Sequence, residues 1–239
     1  LIIWRNEFEN YFDPDLKYFI KRLLVSKKIR FIWFKLTIVP SKNSSHANLL
    51  LFDKNKFTLE RFEPYGSLSY NKTTNIDSYI KNKFEDILSD HLAFNNTKLT
   101  YLSPNDILDP VGFQTVSNDD SFFVRKLGDP PGYCLAWTFW YLEMRLKNPD
   151  IAPKSLMINA VQNIRKYGSD HEIEPTKIFI SYIRDYAMSL NKIKDNFLLS
   201  LGIPAKRHYD MVLNKDDYKL LTDGCVKHFL KLMNGKIGD

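Results

Sequence analysis

Residues 30–63 read RFIWFKLTIVPSKNSSHANLLLFDKNKFTLERFE, and their pattern decides the fold. The first eleven, 30–40, are a dense run of β-forming residues closed by Pro40. A polar loop follows at 41–45, and 47–53 is a second apolar run. Lys54, Asn55 and Lys56 have the composition of a turn, and 57–62 alternates as a third strand. The segment therefore predicts a three-stranded meander. If 47–53 and 57–62 pair about the 54–56 turn, the two open ends of that hairpin lie side by side. His46 and Glu63 then meet at one sheet edge.

Helical spacing flanks the meander. Phe8, Tyr11, Phe12, Leu16, Phe19, Ile20, Leu23 and Leu24 predict helix over 7–26, with Pro14 opening a second helix. Ile76, Tyr79, Ile80, Phe84, Ile87 and Leu88 predict a helix over 75–92, and 99–102 a short strand. Residues 103–132 carry Pro104, Pro110, Gly112, Gly128, Pro130, Pro131 and Gly132, so a long loop is expected. The following run YCLAWTFWYLEMRLKNP is apolar on nearly every side and predicts a buried helix over 133–147. Further helices are expected at 153–167, 175–200 and 215–233. Pro153 and Pro175 would start two of them, and Gly168, Gly202 and Gly235 would lie past helix ends. The sum is an α+β fold: a small antiparallel or mixed sheet flanked by helices. The expected division is 1–150 as a core with N-terminal helices and 151–239 as a helical extension packed on it, or one domain over 1–239.

Composition narrows the function classes. The chain has 239 residues, 44% hydrophobic, 14% aromatic and 26% charged, which is a globular composition with enough length for a sizeable core. No apolar run is long enough to span a membrane. Residues 1–12 lack the features of a signal peptide. Two cysteines cannot build a disulfide framework, so a reduced intracellular setting is expected. The net charge of +6 comes mostly from lysine, with only nine arginines. That bias points to genome composition more than to a nucleic-acid surface.

The chemistry-bearing residues form one pattern. Cys134 opens the helix that follows Asp129-Pro130-Pro131-Gly132, where free amides and the helix dipole favour a thiolate. A thiolate nucleophile needs a base, and the base needs an orienting acceptor. His46 and Glu63 supply both. Spacing alone is weak, because acids fill 28 of 239 positions, and the weight comes from the strand context and the cysteine downstream. Each residue also has an inert reading: Cys134 as a core cysteine, His46 as a solvated loop residue, Glu63 as a surface partner of Arg61. Asp53 is a rival orienting acid at the far hairpin end. Cys225 and His228 form C-x-x-H, which without a second pair is no zinc site, and are read as core packing. Asp90 and His91 are read as helix-end residues, and Trp137 and Trp140 as core. Asn43, Asn71 and Asn95 head N-x-Ser/Thr triplets that match the glycosylation pattern by chance.

The segment 46–63 resembles the histidine–strand–turn–strand–acid segment of the clan CE cysteine peptidases, the adenovirus proteases and the SUMO- and ubiquitin-like-protein proteases. The acid stands 17 positions after the histidine, and Cys134 in PGYCLAW matches the nucleophile at a helix start. ERFEPYG and GYCLAWTFWYLEMRLKNP are similar to strings of clan members in large DNA viruses. The likeness spans residues 30–148. It implies a papain-like core of the adenain type and makes Gln114, in GFQ, the candidate oxyanion residue beside the Cys134 amide. The departures are specific. Gln114 lies 20 positions before Cys134, where the family has about six, which implies an insertion over 115–131. Ala47 stands where SUMO proteases carry Trp, and Tyr133-Cys134-Leu135 replaces their Asp-Cys-Gly.

The resemblance implies a thiol peptidase with Cys134, His46, Glu63 and Gln114 as its catalytic set, and no cofactor or metal. Its partners would be protein substrates, either ubiquitin-like modifier conjugates or viral precursor proteins. No membrane partner is expected, and nucleic acid is weakly supported. Two rivals stay open: an acetyltransferase effector using the same triad, and an inactive binding module of the same fold.

Overall fold

The computed structural model describes residues 1–42, 44–66, 75–108, 111–118, 121–127, 129, 130, 132–203, 216, 219–225 and 227. The chain divides into two compact units, Leu1–Arg184 and Asp185–Asp239.

The first unit starts with a hairpin, β1 (Ile2–Trp4) and β2 (Asn10–Phe12). Residues 7–12 were expected as helix, and the structure corrects this. Asn6 Oδ1 accepts from the amides of Phe8 and Glu9, and the Arg5 amide donates to the Glu9 carbonyl. That side-chain turn reverses the chain. Ile2 and Trp4 alternate inward, whereas Phe8, which completes the helical spacing, is 94% exposed. Helix α1 (Leu16–Leu24) begins only after Pro14 and buries Leu16, Ile20 and Leu24.

The meander forms as its pattern predicts: β3 (Phe31–Ser41), β4 (Ser44–Asp53) and β5 (Thr58–Phe62), each antiparallel to the next. The β3–β4 register shifts between Ile38 and Ser41, around Pro40, which has no amide to donate. Helix α2 (Ile76–Phe94) follows, then β6 (Thr100–Leu102), parallel to β5. β1 pairs parallel to β3. The result is a mixed six-stranded sheet in the order β2-β1-β3-β4-β5-β6.

Both faces of this sheet are covered. On one, Leu50, Phe52 and Leu59 pack with Ile80, Phe84, Ile87 and Leu88 of α2 and Ile20 and Leu24 of α1. On the other lies α5 (Cys134–Lys147), whose Tyr141 stacks on Phe62 with ring centroids 4.2 Å apart. Helix α5 is not buried all round: Leu135, Phe139 and Leu146 are exposed. Trp137 and Trp140 are core, as expected.

The expected loop over 103–132 contains two short helices, α3 (Pro104–Ile107) and α4 (Phe113–Ser117). A capping box between Ser103 and Asp106 starts α3. Beyond α5 come α6 (Pro153–Asp170), a 3-10 turn (Pro175–Lys177) and α7 (Ile178–Ser200). Gly168 lies inside α6, not past its end. A Cβ there would sit 2.5 Å from Ile178 Cγ1, so glycine permits a close approach. Gly202 does follow α7, with φ of 78°.

The second unit holds residues 185–200 of α7, and residues 219–225 are also helical. Leu198 and Ile203 are buried. Cys225 is exposed, which corrects its reading as a packing residue. His228, Gly235, Asn43, Asn71 and most of the expected 215–233 helix lie outside the described residues. Among the described residues no helix is long and apolar enough to cross a membrane.

One ion pair fixes how α5 sits on the sheet. Glu60 on β5 accepts from Arg145 Nε and Nη2, both at 2.9 Å, and from the Tyr141 hydroxyl at 2.7 Å. Arg145 Nη1 also donates to the Asn148 and Ile151 carbonyls, so every charge is matched in a buried setting. Removing one partner strands the other. Arg145→Met is expected to cost about 3–5 kcal/mol of folding stability, measured by urea denaturation.

Candidate active site

The register of β4 on β5 builds the site. Leu49 pairs with Phe62, so Asn48 stands opposite Glu63, the residue just past the strand. His46 lies further back on β4, paired with Ile38 of β3. His46 and Glu63 are both buried, and the His46 Nε2 atom is hydrogen-bonded to Glu63 Oε1. The Tyr65 amide also donates to Oε1, at 3.1 Å. The other carboxylate oxygen, Oε2, accepts from Asn48 Nδ2 at 2.9 Å. Arg61 Nη1 donates to Asn48 Oδ1 at 2.8 Å and lies 3.8 Å from Glu63 Oε2. Arg61 is itself clamped by Asp77, at 2.7 and 2.9 Å, and Asp77 accepts from the Tyr101 hydroxyl at 2.6 Å.

Cys134 is the first residue of α5 and half-buried. Its thiol is hydrogen-bonded to His46, and the amides of Ala47 and Leu135 face the sulfur. Burial opposes ionisation of the thiol and is the largest single influence. The bond to His46, the imidazolium charge and the two amides together outweigh it and lower the thiol pKa. Burial likewise opposes the imidazolium. The bonds to Cys134 and Glu63 win, and the pKa of His46 rises to about 9.

The turn after Glu63 carries the fourth residue. Gly112 N donates to Tyr65 O at 3.0 Å, Gln114 N to Pro64 O at 2.9 Å, and Thr115 Oγ1 to Tyr65 O at 2.9 Å. A Cβ on Gly112 would fall 2.1 Å from Pro64 O, so only glycine allows this docking. Gln114 is buried on α4, within the segment expected as a long loop. Its Nε2 donates to the Tyr65 hydroxyl at 3.1 Å, and its Oε1 is buried with no hydrogen-bond partner. The Tyr65 ring lies against the His46 ring, centroids 4.6 Å apart.

A second clamp steadies the segment before Cys134. Asp129 accepts from Arg184 at 2.9 and 2.6 Å, from the Lys126 amide at 2.7 Å and from the Tyr133 hydroxyl at 2.8 Å. Arg184 is first among the causes that hold the Asp129 carboxyl well below the usual carboxylate range.

His46 and Glu63 thus meet as the hairpin geometry predicts, Cys134 reaches His46 from the start of α5, and Gln114 joins them through Tyr65. The rival acid Asp53 sits at the opposite hairpin end, paired with Arg30 at 3.0 Å. Glu63 is no surface partner of Arg61, since both side chains are fully buried. Sequence reasoning missed Asn48, Tyr65, Asp77 and Asp129. Only Asn48 had a signal, its place opposite Glu63 in the hairpin. Among the described residues no His, Cys, Asp and Glu cluster could hold a metal ion.

No family model matches the chain. Over 197 residues it is 35% identical to the putative ankyrin repeat protein L371 of Acanthamoeba polyphaga mimivirus, across 80% of this chain. The chain spans about a quarter of that protein's length, 24%. Among solved structures, ChlaDub1 from Chlamydia trachomatis aligns with a TM-score of 0.40 and 12% identity, over 69% of this chain and 62% of that one.

The paired shifts have a readable consequence. His46 holds its proton more tightly folded than unfolded. Its contribution to stability is therefore complete below about pH 6.5 and fades as pH rises through about 9. The imidazolium thus persists at neutral pH beside a thiol of lowered pKa. Iodoacetamide at pH 7 is expected to modify half-buried Cys134 ahead of exposed Cys225, as read by peptide mass spectrometry.

Proposed function

We propose that this chain is a cysteine peptidase that cleaves peptide or isopeptide bonds. The observation that carries the reading is the buried line Cys134–His46–Glu63, with the imidazole pKa raised and the thiol pKa lowered. Geometry of this kind is what nucleophilic acyl transfer requires.

In this mechanism His46 takes the Cys134 proton, and Glu63 holds the imidazolium in place. The thiolate attacks the substrate carbonyl carbon. The Cys134 amide and Gln114 Nε2 receive the oxyanion. A half-turn of the Gln114 amide lets the Tyr65 hydroxyl donate to Oε1 and frees Nε2 for that role. His46 then protonates the leaving amine, which departs and leaves a thioester. Water, deprotonated by His46, attacks the thioester and releases the carboxylic acid and the thiol.

The substrates are proteins: ubiquitin-like modifier conjugates or viral precursor proteins. The likeness to a mimivirus protein favours a viral setting. Residues 1–150 carry the peptidase core in this reading, and the helices after it serve substrate or partner binding.

Ubiquitin- and SUMO-based electrophilic probes test the reading. Labelling of the wild-type protein that disappears in Cys134→Ala supports a deconjugating enzyme. Cleavage of short peptides after Gly, without probe labelling, supports maturation of precursors. Acetyl transfer from acetyl-CoA, or activity kept in Cys134→Ala, overturns the proposal. Gln114→Ala is expected to lower kcat by about 10²–10³-fold without abolishing it. Turnover should fall above about pH 9, as His46 loses the proton it gives to the leaving amine.

A further inference from the structure

We infer that Asn48 and Arg61 are positioning residues that set the direction of every proton in the line from Glu63 to Cys134. This rests on reading Cys134, His46 and Glu63 as one proton-relay unit. Neither residue touches Cys134 in that role. They act through Glu63.

Guanidinium has only donors. Arg61 points Nη1 at the Asn48 amide, so the atom it meets must be Oδ1. The Asn48 amide is thereby oriented, and its Nδ2 must face Glu63 Oε2 as a donor. The Tyr65 amide donates to the other oxygen, Oε1. Both oxygens of Glu63 are thus claimed as acceptors. These contacts stabilise the ionised carboxylate, which places the proton between Glu63 and His46 on His46 Nε2. That leaves Nδ1 as the ring atom that serves Cys134. A donor-only side chain two links away thus fixes Nε2 as the donor to Glu63 and Nδ1 as the atom that exchanges a proton with Cys134.

Charge and burial act in the same direction. The side chains of Glu63 and Arg61 are both 0% exposed, so no water can replace a lost partner. The groups that bear on Glu63 are His46 and Asn48 on β4, Arg61 on β5, the Tyr65 amide in the following turn, and, behind Arg61, Asp77 on α2 and Tyr101 on β6. Asp77 absorbs most of the Arg61 charge through two bonds, which leaves Asn48 as the hydrogen-bonded link from that pair to Glu63.

Without the Asn48 donor, a desolvated Glu63 carboxylate is stabilised less and takes the proton from His46 more readily. A neutral imidazole then faces Cys134, and the thiolate loses its counter-ion. Asn48→Leu keeps the branched shape and removes both links. Iodoacetamide alkylation of Cys134, followed against pH in the full chain, reads the effect without any substrate. In Asn48→Leu the midpoint of thiolate formation should move up by about one pH unit, with about a tenfold slower reaction at pH 7. Arg61→Lys retains a donor for Asn48 Oδ1 and should keep most of the wild-type rate. Ile20→Ala, which opens a buried cavity on α1 away from this line, should leave the midpoint where it is.

A wild-type midpoint in Asn48→Leu, or an equal shift in Ile20→Ala, overturns the inference. If Asn48→Leu does not fold, the wild-type protein still decides. Its proton NMR spectrum should hold a far-downfield imidazole N–H, assigned by nitrogen labelling to His46 Nε2, from pH 6 to 8. Absence of an Nε2 proton over that range refutes the proposed proton placement. Failure of the peptidase reading looks different: normal alkylation behaviour with no cleavage of any acyl substrate.

Discussion

The pairing of Leu49 with Phe62 is the constraint on which the site depends. Strand periodicity is two, so a slip of one residue would turn every side chain of β4 to the other face of the sheet. Leu50 and Phe52 would leave the α1–α2 core, and Asn48 would no longer stand opposite Glu63. Hydrophobic burial therefore enforces the register that polar chemistry needs. The two requirements meet on one hairpin, whose turn at 54–56 and Phe57, with φ of 51°, hold the far end.

Cys134 is placed by a different set of contacts. Helix α5 is anchored late in its length, where Tyr141 and Arg145 grip Glu60 of β5. The segment before its first residue is anchored by Asp129, which joins Tyr133 to Arg184. Cys134 lies between these two fixed points. The amides and dipole at a helix start contribute about 0.3–1 kcal/mol toward an anion, up to about 2 when partly buried. Burial of the sulfur opposes them, as the largest single influence on the thiol. His46 has to tip that balance, and its own charge depends on Glu63. The thiolate is accordingly a product of the whole line and not of the helix alone.

What was legible in the sequence follows from distance along the chain. The meander could be read because its strands are neighbours joined by short polar turns, and the hairpin ends brought His46 to Glu63 with it. The N-terminal hairpin could not. β1 is three residues long and finds its parallel partner more than thirty positions away, at Leu36. Phe8 and Tyr11 then mimicked a helical stripe. Helices α3 and α4 were hidden by the prolines and glycines around them, because Gly112 is a docking residue against Pro64 and not a breaker. Arg61 and Asn48 looked like ordinary strand polar residues. Their burial and pairing emerge only once the register places them opposite Leu50 and Glu63.

The gap between Gln114 and Cys134 also changes meaning. A separation of 20 positions looked like a departure that a catalytic glutamine must overcome. In the fold, the intervening chain does not position Gln114. Pro64 and Tyr65 hold residues 112, 114 and 115 by two backbone bonds and the Thr115 hydroxyl, directly after Glu63. The Tyr65 ring lies on His46 while its hydroxyl meets Gln114, so one side chain spans the proposed base and the proposed oxyanion donor. Length can be added over 115–131 without moving either group, provided the added loop is tied down again before α5. The Asp129 clamp with Arg184 and Tyr133 does that tying. The conserved quantity in such an arrangement is the distance of Gln114 from the hairpin end, and its distance in sequence from the cysteine is free to vary.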